Sequence, residues 1–279
     1  MSDQNPVQTR DKPVFWRDPQ LPFIEARSIE DGRKVCYSRH AHEVFSIGAI
    51  TAGQSTYLHE KTTRTIATGT VVVMNPGEVH ACNPIDDQPW SYIMLYVDAH
   101  WLAALQGDCG IGNGNGSCFR PYGASQSTNP AVFEGLLALH RTLVDPSLDV
   151  LTKHQAVLAF FTLVEAQLGG SRPPFRKSNV KVERAARYID EHYLRPVRLE
   201  ELCAVATLSE AYLIRAFERH YHMTPHAWLV NRRIQHAQAQ LRSGEAIVDI
   251  AQQSGFADQA HFQRAFKKHL AATPGQYKP

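Results

Sequence analysis

The chain has 279 residues, 43% of them hydrophobic, which is length and apolar content for two cores rather than one. No uninterrupted apolar run approaches the roughly 18 residues of a membrane span, and the first residues lack the apolar stretch of a signal peptide, so the chain reads as neither membrane-spanning nor secreted and a cytoplasmic location is expected. A net charge of +2 conceals a split: residues 1–170 carry 12 Lys and Arg against 17 Asp and Glu, whereas residues 171–279 carry 17 against 10, a basic half suited to phosphate.

Short β-rich stretches recur from Val35 to Asp98, at Val35–Arg39, Val44–Thr51, Ser55–His59, Thr70–Met74 and Ser91–Asp98. Gly53, Gly69 and the Pro76-Gly77 pair punctuate them, a pattern that predicts a sandwich or barrel. His40 and His42 lie two apart, hence on one face of a strand, and His80 follows the Pro76-Gly77-Glu78 turn. Over about residues 30 to 100 these motifs resemble the cupin pattern. The cupin metal set adds a glutamate shortly after the second histidine, but Ser46 and Ile47 stand there, and Glu43 is expected to face the other side. Three readings stay open for the histidines: hydrogen bonds to an organic effector, part of a zinc, iron or manganese site, or polar groups at a barrel mouth. No metal ligand and no cofactor is assigned. The expected pocket is lined by His40, His42, Tyr57, His80, Trp90 and Tyr92, apolar walls with a few polar anchors, though Tyr57 and Tyr92 read equally well as ordinary strand residues.

Further along, Pro130–Val144 and Leu151–Leu168 predict two helices separated by Asp145-Pro146-Ser147, the second with Val157, Phe161, Val164 and Leu168 on one stripe. This hairpin either carries dimerisation or packs against the barrel. Five cysteines, an odd number without CxxC spacing, agree with a reducing compartment. Cys109 and Cys118 flank a glycine-rich loop and are weighed as a redox pair, and Cys203 as buried packing. Gly169 to Ser178 is rich in breakers and polar residues. The expected division is therefore 1–168 for an effector-binding and dimerisation domain, 169–179 for a linker and 180–279 for a helical domain.

The helical part repeats itself. Leu213, Arg215, Ala216, Phe217, His220, Thr224 and Pro225 recur 49 residues later as Phe262, Arg264, Ala265, Phe266, His269, Thr273 and Pro274. Upstream, Leu199, Leu202 and Cys203 correspond to Ile247, Ile250 and Ala251 at an offset of 48, so the second turn holds one extra residue. Each copy reads as a short helix, a tight turn, and a second helix capped by Ser209 or Asp258, which is helix-turn-helix grammar. Thr224-Pro225 opens a connecting helix that runs to about Arg242, roughly 25 Å at 1.5 Å per residue, with Leu229, Ile234, Ala237 and Leu241 on one face. Successive major grooves about 34 Å apart suit two such units in tandem.

Residues 180–279 resemble the AraC family of bacterial transcription regulators, through Leu208–Phe217, Thr224–Leu229 and Gly255–Lys267. Many sensor domains of that family are cupin-like. Where the family usually has glycine two residues before each Thr-Pro, this chain has His222 and Ala271. If the backbone is left-handed there, each departure costs on the order of 1 kcal/mol. By resemblance the first recognition helix presents Ala211, Ile214 and Arg215, and the second Gln259, Ala260, His261, Gln263 and Arg264. Glutamine and arginine match adenine and guanine edges, although Arg215 and Arg264 equally suit a phosphate or a nearby carboxylate. Arg232, Arg233, Lys267 and Lys268 are candidate phosphate contacts.

The resemblance implies an α+β protein: a cupin-like β-barrel with a helical hairpin, followed by an all-α tandem helix-turn-helix domain. It also implies a non-enzymatic regulator, an activator by preference. Its expected partners are double-stranded promoter DNA, a small-molecule effector, RNA polymerase and a second copy of the chain. In some relatives an N-terminal arm closes the pocket, a role that falls here to Phe15 and Trp16. The competing reading is a metal-dependent cupin enzyme fused to a DNA-binding domain. A purely structural barrel on a constitutive DNA binder is a third.

Overall fold

The structure, a computed structural model, describes residues 12–109, 118–170 and 178–279. Two antiparallel sheets occupy its N-terminal half. With strands numbered along the chain, the larger sheet runs in the order β1 (Val14–Arg17), β2 (Ile24–Ile29), β8 (Ser91–Val97), β3 (Phe45–Ala52), β6 (Val71–Met74) and β9 (Gln126–Ser127). The smaller is β5 (Thr62–Ala67), β4 (Gln54–His59) and β7 (His80–Pro84).

Strand β3 is buried on both faces, and its alternation separates two cores. Phe45, Ile47 and Ala49 join the cluster beneath the helices, while Ile50 joins the cluster between the sheets with Tyr57, Ile66 and Ala81 of the smaller sheet. The helical side is covered by α1 (Ala99–Asp108), α2 (Pro130–Val144) and α3 (Val150–Leu168). Val157, Phe161, Val164 and Leu168 are all buried in this layer, so the predicted stripe packs on the sheet.

Val35–Arg39 is not a strand. Its backbone donors go elsewhere: Tyr37 N–H to the Asn83 side chain at 2.6 Å and Ser38 N–H to the Lys268 carbonyl at 2.8 Å. His40 forms an isolated antiparallel bridge with His80. Phe15 and Trp16 lie on β1, the edge strand, with Trp16 packed into the helix-covered core and Phe15 against Tyr277. Cys109 and Cys118 are free thiols, and the loop between them lies outside the described residues. Most of the expected linker does too, at 171–177.

The C-terminal half is helical: α4 (Val180–His192), α5 (Leu199–Ala206), α6 (Glu210–Tyr221), α7 (Pro225–Arg242), α8 (Ile247–Gln253), α9 (Gln259–Leu270) and α10 (Pro274–Tyr277). Each repeat has its own core, Leu213 and Phe217 in one, Phe262 and Phe266 in the other. Helix α7 contributes to both, Leu229 to the first and Ile234, Ala237 and Leu241 to the second, which makes it a rigid spacer. Asp258 caps α9 through His261 N–H at 2.6 Å, but Ser209, although at the N-cap of α6, makes no side-chain cap bond. The extra residue of the second turn is accommodated at Gly255, whose φ of +74° and contact with the Arg233 guanidinium leave no room for a side chain.

Candidate effector cavity and DNA-reading surface

The two helices following the turns, α6 and α9, present polar outer faces once their cores are subtracted. On α9, Gln259, Ala260, Gln263, Arg264, Lys267 and Lys268 are exposed and His261 is half-buried against Phe256. On α6, Ala211 and Arg215 are exposed and Ile214 is half-buried. Tyr212, 53% exposed, and Arg219 share this face, and neither is among the residues expected there. Their signal was the helical spacing from Arg215 itself, positions that the core stripe leaves outside. Arg215 and Arg219 line a cleft with Lys181 and His220, and its far wall is Glu60 and Lys61 of the sheet half.

Two assigned phosphate contacts turn inward. Arg233 is buried and donates to the carbonyls of Tyr193 at 2.7 Å and Arg195 at 2.9 Å, and burial lowers its pKa. Those bonds close the α4–α5 turn onto α7, so Arg233 is not available for a phosphate. Arg232 pairs with Glu43 of the sheet half and with Asp190 at 3.0 Å. Glu43 thus turns toward α7 rather than into the space between the sheets.

Between the sheets, Tyr37, His40, His42, Gly48, His80 and Trp90 line a small cavity together with Tyr92, Met94 and Tyr96. Its volume is about 30 Å³, room for one water or ion. The three imidazoles converge here, with ring centroids 4.4 Å apart for His40–His80 and 4.9 Å for both pairs involving His42. What brings His40 and His42 to His80 is the backbone bridge, His40 N–H to His80 O at 3.1 Å and the reciprocal bond at 2.9 Å, rather than a continuous strand. Burial holds all three imidazoles in the neutral form, His40 and His42 well below their ordinary value and His80 down to about 4. Ring nitrogens Nδ1 of His40 and His80 bond the carbonyls of Ser38 at 2.8 Å and Glu78 at 3.0 Å. A carbonyl only accepts, so Nδ1 carries the proton and Nε2 the lone pair.

Among the other assigned pocket residues, Trp90 donates Nε1–H to Gly32 O at 2.8 Å and Tyr92 shares a short hydroxyl bond with Tyr37. Tyr57 does not reach the cavity wall. It is buried in the core between the sheets, donating to Val73 O at 3.2 Å. Tyr37, Met94 and Tyr96 of the cavity were not foreseen, nor was Arg27, which lines the adjoining space against the helices. Met94 and Tyr96 follow Tyr92 at period two along β8, a signal present in the sequence. Arg27 sits on β2, a strand outside the expected β-rich stretches.

One segment joins this cavity to the helices. While His40 and His42 point into it, Ala41 between them is held by α7: Ala41 N–H donates to Asn231 Oδ1 at 3.2 Å, and its carbonyl accepts from Asn231 Nδ2 at 3.2 Å and Gln235 Nε2 at 2.9 Å. Ser38 is tied to Lys268 and Glu43 to Arg232. Ala41, Val79 and Met223 form a small apolar joint with Ala227 and Trp228. Farther along, Arg27 donates to Leu270 O at 2.5 Å, Arg17 donates to Tyr277 O at 2.7 Å, and His222 faces Glu60 at 3.6 Å.

Comparison with known proteins agrees with this two-part arrangement. A family model described as an AraC-like ligand binding domain matches residues 25–159, and one described as a helix-turn-helix domain matches residues 202–279. The uncharacterized HTH-type transcriptional regulator YbfI of Bacillus subtilis (strain 168) is 26% identical over 253 residues, 88% of this chain and 87% of its own length. The lactose operon transcription activator of Staphylococcus xylosus is 20% identical over 272 residues, covering 95% of this chain and 96% of its own. The crystal structure of ToxT from Vibrio cholerae O395 shares the α+β fold with a TM-score of 0.52 and 13% identity, over 95% of this chain and 96% of that one. No helix among the described residues is long and apolar enough to cross a membrane. With an effector-binding domain ahead of paired helix-turn-helix units, the chain belongs to the AraC family of DNA-binding transcription regulators.

Proposed function

We propose that the protein reads promoter DNA with α6 and α9 and that a small molecule entering the cavity between the sheets changes how the sheet half holds them. The observation that carries this reading is the segment from Ser38 to Glu43, whose histidines face the cavity while Ser38, Ala41 and Glu43 are bonded to the helical half. Whatever moves His40 and His42 moves Ala41, and with it the grip on α7.

Cavity size bears on the same coupling. Organic ligands occupy pockets of about 300–1,000 Å³. A space of about 30 Å³ accepts one only by expanding. A second, interdomain space of about 80 Å³ lies where His40, His42 and Tyr96 meet Gln235, His269 and Tyr277 of the helices, with Phe15 at its rim. Expansion therefore presses against the docked helices, and an effector has different affinities for docked and undocked states, the condition for any ligand-driven switch.

In this reading Gln259, Ala260, His261, Gln263 and Arg264 meet bases with Ala211, Ile214 and Arg215, while Lys267 and Lys268 meet phosphates. Residues 1–168 serve as sensor and 180–279 as reader. A second copy pairs through the outer face of α3, where Leu151 is 68% exposed and Leu158 38%. The protein acts in the cytoplasm as an activator that engages RNA polymerase, and no catalytic step is assigned to the cavity. The test is a footprint of the full chain on its promoter with and without candidate metabolites. An effector should change the protected length or its affinity, and a broad metabolite set that alters neither footprint nor melting temperature would leave a constitutive DNA binder instead.

A further inference from the structure

We propose that His40, His42 and His80 form a three-imidazole site for one divalent first-row transition ion of the zinc class, with the fourth coordination position open to the cavity. The ligating nitrogens of these residues lie within 4.8 Å of one another. Nδ1 of His40 and of His80 is already engaged by a backbone carbonyl, so each ring offers Nε2. A ring N–H bonded to a carbonyl is the arrangement that orients metal-bound imidazoles and fixes their tautomer.

A tetrahedral ion with nitrogen at about 2.0–2.1 Å needs its donors about 3.3 Å apart. Among the described residues nothing hydrogen-bonds the His42 ring, which is held by edge contacts with His40 and Tyr96, so it is free to turn inward and close the remaining gap. His40 and His80 are anchored on opposite sides of one backbone bridge and cannot drift apart. Three neutral nitrogens without a ligating carboxylate select zinc, cobalt, nickel or copper and disfavour magnesium and calcium, which need oxygen.

Charge decides the fourth ligand. Arg27 lines the adjoining space with His40 and His42, while Glu78, two residues before His80, is bonded to His59 and Asn75. An ion carrying two positive charges therefore favours an oxygen-donor anion at the open position, the simplest being hydroxide from bound water.

The ion would also clamp Ser38–Glu43 against β7, stiffening the segment bonded to α7. This consequence rests on the proposed coupling, but the site itself does not.

The full chain, stripped with chelator and dialysed against cobalt(II), should bind one ion with the visible bands of a four-coordinate nitrogen site. Near-ultraviolet thiolate bands should be absent. His42→Ala and His80→Gln should each weaken uptake by roughly 100-fold, His40→Gln likewise, whereas His154→Gln on α3 should not. Melting curves and circular dichroism show whether each variant is folded, and three separate single variants keep the test available if one is not. The cobalt bands should shift with pH as water at the open fourth position loses its proton. Uptake that does not saturate near one ion, thiolate bands, or equal uptake by the folded His42 and His80 variants would overturn the assignment. No metabolite enters the measurement, so its failure and a failed effector screen are told apart.

Discussion

His222 and Ala271 close α6 and α9 in the left-handed region, at φ 58° and 49°, each donating its backbone N–H to a carbonyl four residues back. A side chain at such a position costs on the order of 1 kcal/mol relative to glycine. Ala271→Gly relieves that strain at the loss of one methyl, so the melting temperature should rise by about 2–4 °C. A calorimetric scan showing no rise or a fall would mean that the Ala271 methyl, which packs on the cluster between the sheets, outweighs the strain. His222 is different, because its imidazole faces Glu60 across the interface. Both departures from glycine were legible in the sequence, since they break a motif at a fixed offset from Thr-Pro. The use of His222 was not, because nothing local announces a partner on a β-turn far away in the chain.

Helix α9 sorts its exposed side chains by height along its axis: Gln259, Gln263 and Arg264 lie toward the capped start, Lys267 and Lys268 toward the end. Recognition helices meet base edges near their N-termini, so Gln263→Ala and Arg264→Ala should relax sequence preference by about 1–3 kcal/mol, measured as the ratio of affinities for promoter and random duplex. Lys268→Ala should weaken binding to both alike and reduce the slope of affinity against salt. Equal loss on both duplexes for Arg264→Ala would move it to the phosphate class. Elements with their own periodicity and caps, such as α2, α3, α7 and α9, were readable one at a time. Val35–Arg39 read as a strand because its residues have the right propensity, yet its hydrogen-bond partners are Asn83 and Lys268, both remote in sequence. Strands β1, β2 and β5 escaped for the opposite reason. Arg17, Arg27 and Arg64 interrupt their apolar pattern, and two of these arginines bond the carbonyls of Tyr277 and Leu270 in the helical half.

Across the whole molecule the acidic and basic halves are held together less by charge than by a few backbone bonds, most of them on one short segment. Ala41 and Asn231 exchange two hydrogen bonds in a setting where both residues are buried, a side-chain amide standing in for a neighbouring strand. Removing that amide leaves the Ala41 N–H without its partner, at about 1–3 kcal/mol. If Ser38–Glu43 docks as a unit, Asn231→Ala should raise amide exchange not only at Ala41 but also at Ser38, whose own acceptor on Lys268 is untouched by the substitution. The expected increase is about 5- to 150-fold at both amides, the factor corresponding to that energy. Hydrogen exchange on the full chain reads this without any effector. A faster Ala41 beside an unchanged Ser38 would show contacts that open independently, and a joint of that kind cannot carry a displacement of His40 and His42 to α7 and α9 at once.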